Sequence, residues 1–510
     1  MRAKSLRFSF LLKIGVTIVL VVAFDQLFPN NIEGLSIGIF AFAWLLGLIL
    51  VHPAVRHSRL SVATALALAG IFSIALAYDP GPLPAFLFLC ALSVATLLPR
   101  TARFDDAWRW SVRLMFHGMT GAIKPVLDLL RLLAIRPRGR RRTLKSFAGT
   151  LALPVFGTIL FTILFANANP LIANALGQIQ FPSPGKLIEW AFATFLIWPT
   201  LRPHPIVTRV KIPDPAVDLP GTSLASALIA LTLFNILFAV ENGLDIAFLW
   251  SNAPLPAGTS MADYAHKGAY PLIATALLAG LLVLTMLRPG TASSTNSWAR
   301  RLVALWVAQN IFLVASSALR TVDYIEAYDL TAWRIAALLW MELVATGLIL
   351  ICWRLWTGRS TRWLINANAL AAASILIPCC FIDINALAAR WNVNHAREVG
   401  GAGSQLDLCY LHGIGAPALL PLIDLERRPL SPEFADRVHH VRGQLFDQLA
   451  NHQAHWWSWT PHGAMRLAKA RVLLGLNPHR AAELAQNERR ACDGAIMHSD
   501  MPALTGTPAQ

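Results

Sequence analysis

Apolar residues run along this chain in long blocks with short polar breaks between them. A helix needs about 20 apolar residues to cross a bilayer core of about 30 Å. The blocks predict eleven spans: 8–28, 34–51, 60–78, 83–98, 147–166, 186–201, 222–241, 265–287, 301–319, 332–353 and 363–381. One stretch breaks the rhythm. Residues 99–146 set Trp108, Trp110, Leu114, Met115 and Phe116 against Arg103, Arg109 and Arg113, the pattern of amphipathic helices. Past residue 381 the long blocks stop. Short runs at helical spacing take over, as in Leu406–Leu411 and Pro417–Ile423, and Ser431-Pro432-Glu433 reads as a cap and first turn.

The expected fold is therefore all-α: a polytopic helical membrane bundle of about 11 transmembrane helices with a small helical C-terminal extramembrane domain. The boundaries are 1–381 for the bundle, 99–146 for its basic amphipathic segment, 382–490 for the domain and 491–510 for a disordered tail. Composition agrees. Hydrophobic residues make up 55% and charged residues 14%, against about 25% charged in an ordinary soluble domain. A soluble enzyme and a secreted disulfide scaffold are excluded.

Charge then sets the orientation. The net charge is +15. Residues 382–510 hold 12 Lys/Arg and 12 Asp/Glu, so the whole excess lies in the membrane part. Nucleic-acid binding would need a basic groove on a soluble part, so none is expected. The loops alternate instead. One set carries Arg2, Lys4 and Arg7, then Arg56 and Arg59, the 99–146 segment, Arg202, Arg209 and Lys211, Arg288, Arg300 and Arg301, and Arg354, Arg359 and Arg362. The other set carries Glu33, Asp79, Asp245, Asp263, Asp323, Glu326 and Asp329. The positive-inside rule makes the first set cytoplasmic. The N-terminus is then cytoplasmic and the C-terminus periplasmic in a bacterial inner membrane. Lys13 interrupts the first block and no small-x-small site follows, so that block reads as a signal-anchor.

The candidate chemistry sits at the outer rim, because ionisable groups near spans are costly unless paired or wetted. The cluster is Glu241 and Asn242; Tyr264, His266, Lys267 and Tyr270; Asn310 and Arg320; Asp323, Tyr324 and Tyr328; and Arg334 and Glu342. Glu241, Asp323 and Glu342 balance Lys267, Arg320 and Arg334 in charge. Stapled helix ends and a ligand site both fit this set. Asn167–Asn174 contains a helix-breaking Asn169-Pro170 and predicts an interfacial or re-entrant turn. On the inner side, Arg138, Arg140, Arg141 and Arg142 suit anionic lipid at the cytoplasmic face, at about 1 kcal/mol per charge.

Phosphate-loop, zinc-helix and nucleophile-elbow motifs are missing. Nine of fourteen His lie past residue 381 without a zinc spacing, so no metal and no cofactor is expected. Cys409 and Cys492 share one compartment and could pair, although no spacing motif selects them.

Three stretches carry a resemblance: Tyr264–Tyr270, Arg320–Arg334, and Asn392–Arg397 followed by Leu406–Leu411. They resemble the bacterial membrane families called domain of unknown function 4153 and 4173, mainly over 220–430. The family pattern has Gly before Leu-Thr, where this chain has Asp329. The resemblance implies the topology and the rim residues, and it implies no activity. Three functions fit. A non-enzymatic sensor or scaffold, with a periplasmic or cytoplasmic protein partner, fits best. A transporter of a small polar or ionic solute comes next. A membrane enzyme on a lipid-linked envelope substrate is third, with His266, Glu241 and Asp323 as acid/base groups.

Overall fold

The computed structural model describes residues 2–29, 31–52, 60–101, 104–134, 182–209, 223–251, 296–401, 403–475, 479–484 and 488–498, with scattered positions in 153–169 and at 275 and 278. The membrane part comprises α1 (Arg2–Leu27), α2 (Leu35–Val51), α3 (Leu60–Tyr78), α4 (Pro82–Leu97), α5 (Ala107–Ala134), α6 (Pro184–Leu201), α7 (Leu224–Asp245), α8 (Ser297–Tyr328), α9 (Ala332–Thr357) and α10 (Thr361–Cys379). Among the described residues, seven helices are long and apolar enough to cross a membrane: α1, α3, α4, α7, α8, α9 and α10. The expected count of eleven differs for physical reasons. α2 is apolar but has 17 residues, and α6 carries Lys186 and Glu189 in its first two turns. The span expected at 147–166 is described only in part. That at 265–287 lies outside the described residues apart from positions 275 and 278, and Asn167–Asn174 does so apart from Asn169.

The membrane helices pack as two groups, each with its own core. Leu48, Ala69, Leu92 and Ile197 are buried where α2, α3, α4 and α6 meet. α2 and α3 touch so closely that a Cβ on Gly38 would lie 2.4 Å from the Cβ of Ala77, so only glycine fits there. Leu231, Val303, Trp306, Leu348 and Leu364 form the second core, of α7 to α10. Trp306 stacks on Phe234 and meets Phe238 edge-on.

Side-chain caps define the starts of several helices. Asn296, Thr331, Ser360 and Asp383 each accept from the backbone N–H three residues on. Contacts also sort the helix ends into two sets. His52, after α2, lies 2.8 Å from the Leu201 carbonyl at the end of α6. Asn366 of α10 accepts from Ala107 N of α5, and Arg300 of α8 donates to Leu355 O of α9. The end of α1 meets the start of α6 through Asp25 and Trp190 at 3.0 Å.

The C-terminal residues form α11 (Ile384–His395), α12 (Leu408–Ile414), α13 (Leu419–Leu425), α14 (Pro432–Ala454) and α15 (Pro461–Leu474). Their core includes Leu408, Leu411, Leu419, Leu422, Val438 and Leu445. Ser431 caps α14 and Pro432 opens it, as expected. The chain past 490, expected as a disordered tail, is ordered to His498. Glu488–Arg490 pairs antiparallel with Ile496–His498. Cys492 between these strands is bonded to Cys409, and Arg490 binds Asp436 of α14 at 2.6 Å. Those anchors offset the entropy of ordering a polar segment.

Candidate functional site: a polar cleft at the bundle rim

The C-terminal helices sit on the loops that carry Glu33, Asp79 and Asp329. Leu35 N donates to the Trp459 carbonyl at 2.7 Å. Gly34 has φ +75°, and a Cβ there would lie 2.2 Å from the Trp457 carbonyl. Only glycine lets the α1–α2 loop come this close. Asn392 of α11 clamps Leu330 from both sides: its Oδ1 accepts from Leu330 N at 2.7 Å, and its Nδ2 donates to Leu330 O at 3.0 Å.

Between loops and helices lies a cavity of about 680 Å³, lined in part by Glu33, Asp79, Asp383, His452, Gln453 and Arg466. Carboxylates of the bundle rim face imidazoles of the C-terminal helices. His452 Nε2 is 3.1 Å from Glu33 Oε2, and His462 Nδ1 is 3.0 Å from Asp79 Oδ2. The His462 ring stacks on Tyr78. Arg466 binds Asp383 and lies 3.2 Å from His462 Nε2.

Asp79, Asp383 and His462 bring possible ligand atoms within 4.8 Å of one another. Their arrangement suits hydrogen bonding better than metal ligation. The two imidazole nitrogens face different carboxylates, whereas an ion would take one of them. A guanidinium cation already contacts the set. Among the other C-terminal histidines, His395 stacks on Trp391, His455 on Trp457, and His439 on His479.

The residues expected at the rim divide into three groups. Tyr264, His266, Lys267 and Tyr270 lie outside the described residues, as do Arg138, Arg140, Arg141 and Arg142 on the other side. Asn242, Asn310 and Arg320 are buried between α7 and α8. Here the structure changes the expected charge balance. Arg320 pairs with Asp245, not with Glu241, Asp323 or Glu342, and both partners are buried. Asp245 lies one turn beyond Asn242, on the face of α7 that meets α8. Glu241 and Asp323 are half-buried, and Glu342 is exposed on α9. Arg334 lies over the Tyr324 ring at 4.3 Å and donates to the carbonyls of Tyr328 and Asp329. Tyr324 and Tyr328 pack ring against ring.

The contact between α7 and α8 is a ladder of amides. Asn242 Nδ2 donates to Gln309 O at 3.4 Å, and Gln309 Nε2 donates to Asn235 Oδ1 at 3.0 Å. Asn310 spends its amide on Trp306 O, one turn back in its own helix. Asn242 Oδ1, Asp245 Oδ2 and Gln309 Oε1 are buried without a hydrogen-bond partner among the described residues. Directly after Asp245 the helix widens into a π turn, Ile246–Trp250, a distortion common at functional sites.

Asp329 does make the tight turn, although the family pattern has glycine there. Its φ of +69° and ψ of +161° belong to a region used almost only by glycine. The cost is met by its carboxylate, which accepts from Ser404 Oγ at 2.7 Å and from Asp407 N at 3.4 Å. Burial holds this carboxyl above the usual carboxylate range, against the pull of those bonds.

The model of the family described as Domain of unknown function (DUF4153) matches residues 62–425. The chain belongs to this family. No curated protein and no solved structure matches it. The family match runs from α3 to the end of α13, so it contains the stretches that carry the resemblance and begins well N-terminal of them. It holds Asp79, Asp245, Arg320, Asp329 and Asp383. Glu33, His452, His462 and Arg466 lie outside it.

Sequence reasoning missed Asp245 as a partner and missed the cleft. A helical-phase signal for Asp245 existed: Asn235, Asn242 and Asp245 fall on one stripe of α7. The cleft had none, because its pairs join residues 383 and 419 positions apart.

Proposed function

We propose that this integral membrane protein is a non-enzymatic sensor or scaffold of the bacterial inner membrane. Its N-terminus is cytoplasmic, and the helical residues 382–490 act as a periplasmic domain. The domain closes on the bundle rim, and a periplasmic ligand or protein partner opens or fills the cleft. The observation that carries this reading is the set of half-exposed carboxylate–imidazole contacts, Glu33–His452 and Asp79–His462, whose carboxylates and His452 line a cavity of about 680 Å³. Such contacts are individually weak, which suits an interface that moves. The basic loops at one end of the bundle support the orientation. The Cys409–Cys492 bond supports an oxidising compartment for the domain.

The test is gentle extraction of the full chain from its own membrane, then native mass spectrometry of wild type and His462→Ala. A molecule held by wild type and lost from the variant supports the cleft. The same retained set from both contradicts it.

One observation favours transport as a second reading. Asp245 and Arg320 are buried within helices of spanning length beside a π turn, with acceptor oxygens unmatched among the described residues. Against it, the sequence shows no internal repeat, the usual pointer to a transport site. Solute uptake in proteoliposomes that stops in Asp245→Asn would move the reading there.

A further inference from the structure

The end of the bundle away from the cleft holds an excess of cations. α5 turns its polar face inward. Lys124 and Asp128 pair there at 2.8 Å, at 3% and 2% side-chain exposure. Trp198 Nε1 donates to the same carboxylate at 3.0 Å. Arg131 and Arg202 each stand 3.5 Å from it. Lys13 of α1 is within electrostatic reach of Asp128, Lys124, Arg202 and Arg100. Among the described residues, four cations, Lys13, Lys124, Arg131 and Arg202, thus gather about one carboxylate, and Arg100 stands near Lys13. Near the low-dielectric membrane such an excess calls for a counter-anion.

A groove of about 650 Å³ opens beside this cluster, between α1, α5 and α6. Its walls include Ile18, Val22, Val126, Leu129 and Phe195, and Asp128 and Trp198 lie at its charged end. Asp25 lines it as well, but Asp25 is already matched by Lys186 at 3.3 Å and by Trp190. The groove is therefore apolar along its walls, with Asp25 and its Lys186 partner at one end and, at the other, Asp128 with the cations gathered behind it. α5 helps form it with its outer face, where Met119, Ile123, Val126 and Leu130 are exposed.

We propose that this groove binds one phosphate-bearing anionic lipid. The head group sits on Lys13, Arg131 and Arg202, and an acyl chain lies between α1 and α6. Charge complementarity argues for this occupant over bulk zwitterionic lipid. The planar guanidinium fork matches phosphate oxygens, and Arg131 and Arg202 keep 60% and 34% of their side-chain surface. The apolar walls argue for a lipid over a free anion. The site is separate from the Arg138–Arg142 run, and it predicts a bound stoichiometric lipid rather than diffuse attraction.

The test uses the purified full chain in detergent and native mass spectrometry. The probes are phosphatidylglycerol, phosphatidylcholine of the same chains, and inorganic phosphate. Wild type should retain one phosphatidylglycerol in preference to phosphatidylcholine. Arg131→Gln/Arg202→Gln should cut that preference about fivefold for each cation removed. Arg131→Gln alone, at an exposed position, keeps the test open should the double variant misfold. Ala191→Trp, which fills the groove without changing charge, should lower retention of phosphatidylglycerol. Equal retention of both lipids, or an unchanged preference in Arg131→Gln, overturns the proposal. Displacement of the lipid by inorganic phosphate, or full retention in Ala191→Trp, overturns the lipid as occupant.

Discussion

Two polar regions of this molecule use the same residue types to opposite effect. The α7–α8 contact buries Asp245 against Arg320 inside the bundle. The rim cleft sets Asp79 against His462 and Glu33 against His452 at a half-exposed surface. In the first, each charge depends on the other, because neither can return to water without the helices parting. In the second, either group can be solvated where it stands. The buried pair fixes how α7 meets α8, whereas the cleft contacts can be exchanged for a ligand's. The site of regulation is thus expected where the ion pairs are weakest.

Breaking the buried pair should give the largest effect. Arg320→Ala leaves Asp245 buried and unmatched, at a cost of about 3–5 kcal/mol. Thermal unfolding should show a large loss, and replacing both partners by leucine should recover much of it. Cys409→Ser comes next. It removes a bond between residues 83 apart, and such bonds contribute about 2–4 kcal/mol. The loss should appear in unfolding of the C-terminal helices, with the membrane helices unaffected. Gly34→Ala should cost about 1–3 kcal/mol of docking through backbone strain and the clash with Trp457. Hydrogen exchange at 457–459 would read it. His462→Ala should change stability by under about 1 kcal/mol, yet it should alter what the cleft retains.

The smallest effect concerns pH. The folded pKa of Asp329 is raised above its unfolded value. Below the ordinary carboxylate value both states hold the proton. Between that value and the raised one, only the folded chain does. Stability should therefore fall as pH rises through that window, and Asp329→Asn should remove that slope.

The membrane helices were legible in the sequence because length and apolarity decide them locally. α2 and α6 show the limit: one is short and the other charged at its start, although both pack within the same core. Ser431 and Pro432 announced α14 because a cap is a local device. The partner of Arg320 was less legible. Asp245 reads as a loop residue when the span is ended at 241, and only α7 continuing to Asp245 places it inside. The turn at Asp329 was hidden by residue type, since the strain is offset by Ser404, 75 positions away. The order of 488–498 came from a disulfide and an ion pair that no local pattern announces. The cleft itself arises only when the C-terminal helices dock on loops hundreds of residues earlier.

The central claim is that these helices sit on the periplasmic rim beside Glu33. Glu33→Cys/His452→Cys in otherwise intact cells, treated with a short membrane-impermeant crosslinker, tests it directly. The account predicts an intramolecular crosslink formed from outside the inner membrane. A crosslink that forms only in inverted vesicles would contradict the orientation, and none in either preparation would contradict the docking.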